Sequence, residues 1–267
     1  GAFARISHGV IHYEWHGPPD GPVIVCVHGL TTPGFVWRSL TKGLATRGYR
    51  VLTYDLYGHG KSGPAPSVAT LGIYARQLAG LLDHVGCDTA HVIGFSIGGM
   101  INRRFALDFP DRVASLVILN SPHDRGDTAQ KGVEERAVAA RAQGAFATFD
   151  AAVQRWFTPD HVASGDGPTL VRAWREQVDD DSYAQASWVL AHGVRELIAP
   201  DMPITAPTLV MTCENDVGST SKMSHDIGDE ISGARVIIVP TYKHLGLIEA
   251  PNAFCDPILE FLSGRNK

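Results

Sequence analysis

Ala90-His91-Val92-Ile93 runs straight into Gly94-Phe95-Ser96-Ile97-Gly98, and a helical pattern continues from there to residue 109. A bare Gly-x-Ser-x-Gly pattern says little. Placed between a strand and a helix, it predicts a turn tight enough to strain the serine backbone. Glycines at 94 and 98 remove the Cβ atoms that would meet the neighbouring strand and helix. The Ser96 hydroxyl then stands at the sheet edge, over a helix N-terminus that favours negative charge. The bland alternative is a glycine-rich turn with an N-capping serine.

Outward from this turn, strand and helix patterns alternate. Val23–Val27 and Val113–Leu119 are continuous apolar, β-branched runs of the kind buried on both faces of a parallel sheet. Arg50–Tyr54 is a further strand. Helical spacing covers residues 35–47, stopped by Gly48, and 71–85. On the N-terminal side, residues 10–15 pair with a shorter preceding strand, and the turn Gly17-Pro18-Pro19-Asp20-Gly21-Pro22 closes this hairpin. The alternation predicts one α/β unit over 1–267: a mostly parallel, eight-stranded sheet flanked by helices. It breaks at Asn120-Ser121-Pro122. From about 123 to 200 only helical patterns appear, at 134–143, 146–157, 169–178 and 183–195, with Asp179-Asp180-Asp181 as a solvated turn between two of them. Strands resume at 208–212 and Arg235–Val239, and a last helix starts at Pro251 and ends before Gly264. A helical insertion that returns to the same sheet is expected to be a lid over its ligand-binding edge.

Serine is a poor nucleophile without a base. His244 follows the strand that ends at Val239, and Asp216 follows the strand at 208–212. The order Ser96, Asp216, His244 suits a mid-sheet elbow, with His244 between the hydroxyl and the carboxylate. Glu214 and Asp124 are rival acids, and His225 falls in a helix at 219–231. His28-Gly29-Leu30 follows the most apolar strand, and the amides of Leu30 and Ile97 are the expected oxyanion donors. His28 itself reads as a brace for that turn. Among the aromatic residues of the insertion most should be packing. Trp156 and Trp188, with Tyr242 at the rim, are the expected pocket wall. Arg155, Arg172, Arg175 and Arg195 read as solvated, with one of them available to a substrate carboxylate.

Other patterns mislead. Gly60-Lys61-Ser62 imitates the end of a phosphate loop, but Asp55 stands where the first glycine belongs, and Pro64 and Pro66 prevent the helix that must follow. His8, His12 and His16 have helical spacing inside a strand pattern. The 267 residues include 23 Lys+Arg against 28 Asp+Glu, a net charge of −5 that offers nucleic acid no overall attraction. No apolar run reaches the roughly 18–20 residues that span a bilayer. Cys26, Cys87, Cys213 and Cys255 form no Cys-x-x-Cys pair and read as free thiols. Gly1-Ala2-Phe3-Ala4-Arg5 lacks the layout of a signal peptide. Together these give a cytoplasmic expectation.

His28-Gly29-Leu30, Asp55-Leu56-Tyr57-Gly58-His59-Gly60-Lys61-Ser62, Gly94-Phe95-Ser96-Ile97-Gly98-Gly99, Phe109-Pro110-Asp111-Arg112-Val113, Pro207-Thr208-Leu209-Val210 and His244-Leu245 together resemble the α/β-hydrolase superfamily, in its short-lid serine type. The resemblance spans about residues 10–262 and leans toward carboxylesterases and 3-oxoadipate enol-lactonases. It implies hydrolysis of a small-molecule ester or lactone without metal or organic cofactor. Meta-cleavage C–C hydrolases, cofactor-free haloperoxidases and triad-bearing hormone receptors share the pattern and stay open as alternatives. Dehalogenases and epoxide hydrolases of this fold carry Asp where Ser96 stands, so both are disfavoured. The chain departs from the pattern at Cys213, a frequent glycine position, and at Tyr242-Lys243, where small residues are usual.

Overall fold

The computed structural model describes residues 1–30, 32 and 34–265. The chain enters through an antiparallel hairpin, β1 (Ala2–Ile6) and β2 (Gly9–His16), followed by β3 (Val23–Val27), α1 (Arg38–Thr46), β4 (Arg50–Tyr54) and α2 (Leu71–His84). The central unit is β5 (Ala90–Phe95), α3 (Ile97–Asp108) and β6 (Val113–Leu119). Five helices then follow without a strand: α4 (Asp127–Gln143), α5 (Phe149–Trp156), α6 (Pro159–Ser164), α7 (Asp166–Arg175) and α8 (Asp180–His192). The sheet resumes with β7 (Thr208–Cys213), α9 (Ser221–Asp229) and β8 (Arg235–Val239), and α10 (Gly246–Glu249) and α11 (Pro251–Leu262) close the chain.

The strands form one eight-stranded sheet in the order β1-β2-β4-β3-β5-β6-β7-β8. All pairs from β4 to β8 are parallel, and β2 joins β4 antiparallel. Why the strands read as unbroken apolar runs is visible in their packing. Val25, Val27, Val92, Leu116 and Ile118 belong to the core under α2 and α3, whereas Ile24, Cys26, Ile93, Val117 and Leu119 belong to the core under α1 and α11. Successive side chains point to opposite faces, and both faces are covered. Reversal of strand order on either side of β3 places the C-terminal ends of β3 and β5 at the crevice where open α/β sheets bind ligands.

The insertion is helical, as its sequence pattern predicts, but its boundaries differ. α4 begins at Asp127, where the first turn is too polar to show a periodic stripe. Residues 146–157 are helical only over Phe149–Trp156, and α6, started by Pro159 after Thr158, was not foreseen. Asp179-Asp180-Asp181 is no turn between helices. Asp179 caps α8 by accepting from the Ser182 amide (2.8 Å), and Asp180 and Asp181 are its first helical residues. Cys26, Cys87, Cys213 and Cys255 are all free thiols. No helix among the described residues is long and apolar enough to cross a membrane.

Candidate active site

Ser96 sits between the last residue of β5 and the first of α3 with φ 56° and ψ −119°, a conformation that L-residues avoid. Its surroundings impose that geometry. A Cβ on Gly98 would run into the Val27 carbonyl of β3, and one on Gly94 into the Gly98 carbonyl, so only glycine fits on either side. The Ser96 amide donates to Leu119 O (2.9 Å), and its carbonyl accepts from Gly99 N (2.9 Å) and the Ser121 hydroxyl (2.8 Å). Buried Arg103 in turn donates to Ser121 Oγ and Pro122 O, both at 2.8 Å.

His244 and Asp216 come together from the loops after β8 and β7. The Nδ1–H of His244 donates to Asp216 Oδ2 at 2.7 Å. Asp216 is buried, and every side of its carboxylate is used. Oδ2 also accepts from Asn120 Nδ2 (2.9 Å), while Oδ1 accepts from the amides of Gly218 (3.1 Å) and Ser219 (2.9 Å). Four donors hold the group as an oriented acceptor. The His244 ring lies 5.0 Å from that of Phe95, the neighbour of Ser96, and 6.0 Å from that of Trp156. Ser96, His244 and Asp216 line one cavity of about 150 Å³, together with Leu30, Trp156 and Leu245. Ile97 stands at the first turn of α3, where helix amides lack partners within the helix.

The rival acids are elsewhere. Glu214 accepts from the Thr241 amide (3.0 Å), and Asp124 from the Gly126 amide (2.9 Å). His225 is exposed on α9. His28 braces its turn: Nδ1–H donates to Gly29 O (2.7 Å) and Nε2 accepts from the Leu56 amide (2.9 Å). Burial, reinforced by the nearby His59, lowers its pKa to about 3. The turn at 55–62 is knitted by Ser62 Oγ donating to Asp55 O (2.6 Å) and by His12 Nδ1 against Asp55 Oδ2 (2.9 Å). His12 is thereby a structural partner of a carboxylate, and no metal-holding cluster exists among the described residues.

Two expected wall residues are misplaced. Trp188 is 52% exposed and packs tilted against His192, 3.9 Å between ring centroids. Tyr183, Ser187 and Leu190 face the cavity from α8 at helical spacing, and position 188 lies about 100° round the helix from 187. Tyr242 packs into the core under α11 and is absent from the cavity wall. Four arginines line the wall instead: Arg125, Arg136, Arg155 and Arg175. Arg155 and Arg175 were read as solvated. Of the other two so read, Arg172 lies over the Phe149 ring (4.5 Å) and Arg195 pairs with Glu134 (2.6 Å). Asn120 was also missed as a site residue, although its place at the end of β6, next to the serine strand, marks it.

The insertion is tied to the histidine loop. The Leu245 amide donates to Trp156 O (2.9 Å), Lys243 Nζ to Gln154 O (3.0 Å), and the Thr158 amide to Glu249 Oε2 (3.1 Å).

Residues 22–251 match the model of the alpha/beta hydrolase fold. The chain belongs to the α/β-hydrolase family. This α/β-hydrolase is 25% identical over 242 residues to an (E)-2-((N-methylformamido)methylene)succinate hydrolase of Acinetobacter baylyi, covering 90% of this chain and 89% of that protein. A 3-oxoadipate enol-lactonase of the same organism is 25% identical over 248 residues, covering 91% and 90%. Among solved structures, the enol-lactonase of Burkholderia xenovorans superposes with a TM-score of 0.86 at 26% identity, covering 98% of this chain and 100% of that one.

Proposed function

We propose that this α/β-hydrolase cleaves a carboxylic ester or lactone through an acyl-enzyme formed on Ser96. The observation that carries the proposal is the 2.7 Å His244–Asp216 hydrogen bond, in a cavity whose wall also holds Ser96 in its strained elbow. Asp216 leaves His244 Nδ1 protonated, so Nε2 is the free base. Nε2 takes the Ser96 proton as Oγ attacks the carbonyl. The amides of Leu30 and Ile97 donate to the developing oxyanion, and His244 returns the proton to the leaving alkoxide. Water, deprotonated by the same nitrogen, then releases the acid and restores Ser96. None of these steps calls on a metal or organic cofactor. The helical insertion acts as the lid and supplies Trp156 as the apolar wall beside the base. The names of the enol-lactonase relatives favour small acyl substrates.

The test is labelling with a fluorophosphonate, followed by peptide mapping. Folded wild-type protein is expected to carry the label on Ser96. Ser96→Ala is expected to lose it, together with ester turnover, by at least about a thousandfold. An unlabelled Ser96 in folded protein overturns the assignment. Turnover of a ring-fission dienoate with none of p-nitrophenyl esters replaces ester cleavage with carbon–carbon cleavage on the same triad.

A further inference from the structure

The charge on the cavity wall runs opposite to that of the chain. The protein carries −5 overall, yet its wall holds four arginines against a single carboxylate, Asp216, whose oxygens are already taken. Arg125 is committed to the fold: Nη2 donates to Leu190 O (2.9 Å) and Nη1 to Gln130 Oε1 (3.0 Å). The other three are not neutralised. Arg136 on α4 is exposed, Arg155 on α5 is half-buried, and Arg175 on α7 is 2% exposed. None of the three forms an ion pair among the described residues, and Arg136 and Arg155 make no hydrogen bond there either. Arg175 spends Nη1 on Ala145 O (2.8 Å) and lies over the rings of Phe149, Trp156 and Tyr183, but its Nε is buried without an acceptor.

Buried arginine is ordinarily paired, because an isolated cation in a poorly polar site loses its hydration without compensation. Here the half-buried Arg155 and the buried Arg175, on two different helices, face the same cavity as the exposed Arg136 of a third, and burial pushes the pKa of Arg155 and Arg175 down. Arg155 is pushed down further by the charges of Arg136 and Arg175. Helical spacing shows that the placement is consistent along α4: Ala129, Val133, Arg136 and Ala137 share the face turned to the cavity. Mutual repulsion held in place without a protein carboxylate is relieved when an anion enters. A guanidinium fork suits an oxyanion group.

We propose that the substrate is itself an anion: an ester or lactone bearing a second oxyanion group, a carboxylate or a phosphoryl, which Arg155, Arg136 and Arg175 bind while the scissile carbonyl lies at Ser96. The proposal rests on the ester or lactone reading above and adds the substrate class. Arg136, the most exposed of the three, meets the incoming charge first, and Arg175 is the most deeply buried.

The experiment compares p-nitrophenyl esters of equal reach: the glutarate half-ester with a free carboxylate, the neutral pentanoate, and a phosphonate-terminated analogue. Wild-type enzyme is expected to favour an anionic ester over pentanoate in kcat/KM, with the advantage shrinking as salt is added. Arg155→Gln and Arg136→Gln are expected each to raise KM for that ester about tenfold, the scale of one charge-assisted hydrogen bond. Pentanoate, which offers neither arginine a charge to meet, should lose less than the anionic ester, so the ratio of the two kcat/KM values is expected to fall about tenfold. If the phosphonate is the favoured anion and loses its advantage in the same variants, the anion is phosphoryl. Equal use of charged and neutral esters, or an advantage untouched by both substitutions, overturns the proposal. Failure of Ser96 to label strikes the hydrolase reading instead, so the two outcomes are separable.

Discussion

Asp216 is the residue whose surroundings say most about its task. Of its four donors, His244 is the base proposed above, and Asn120 shares the same oxygen. Asn120 has φ 48°, a left-handed conformation. Glycine adopts that conformation without strain, so Asn120→Gly removes the amide and spares the backbone. The expected result is a fall in kcat of about tenfold with KM held, because a hydrogen bond to a charged group is worth roughly 1.5–3 kcal/mol. Steady-state kinetics beside a thermal melt checks it, and a melt that shifts while kcat does not would make Asn120 merely structural. That Ser96, Asp216 and His244 would meet at one cavity was legible in sequence because each follows a strand, and strand ends in such a sheet converge on one edge. Arg155 and Arg175 were not legible. A charged residue in an amphipathic pattern belongs by default to the solvated face, and one-dimensional spacing cannot show that a second helix covers that face.

The elbow illustrates why some elements can be read to the residue. Gly94 and Gly98 are fixed by backbone atoms that cannot move aside. Gly98→Ala is therefore expected to destabilise by more than the about 0.4–1 kcal/mol by which compatible glycine replacements stabilise. Gly132, inside α4, is the control: a Cβ there would meet only Arg136 Nη1 at 3.7 Å. Gly132→Ala is expected to stabilise by about 0.5–1 kcal/mol through helix propensity. Urea melts of the two variants should move in opposite directions. The parallel strands and their crossover helices were legible within two or three residues, because apolar runs with glycine stops leave little choice. The insertion was legible as helical only. Its longest helix, α4, opens on a polar first turn, and Trp188, one step beyond Ser187, shows how a single position decides between wall and solvent.

At the scale of the whole molecule, stability is tied to pH through His28 and His59, both fully buried. Burial lowers the pKa of each, that of His28 to about 3. Unfolded histidine titrates near about 6.5. Above that value both states are neutral and the stability is fully present. As pH falls through it the unfolded chain binds protons that the folded protein refuses. The loss approaches about 1.4 kcal/mol per pH unit for each histidine and for His28 continues toward the folded value. Melting temperature is expected to drop between pH 6.5 and 4.5. His28→Gln is expected to melt lower at pH 7.5 yet with a shallower acid slope, and an unchanged slope would argue that other groups control acid lability. Trp156 O, Gln154 O and the Thr158 amide, meanwhile, join α5 and its exit to the segment bearing His244 and Glu249. That flank is clasped to the scaffold, so any breathing that displaced it would drag the imidazole out of register.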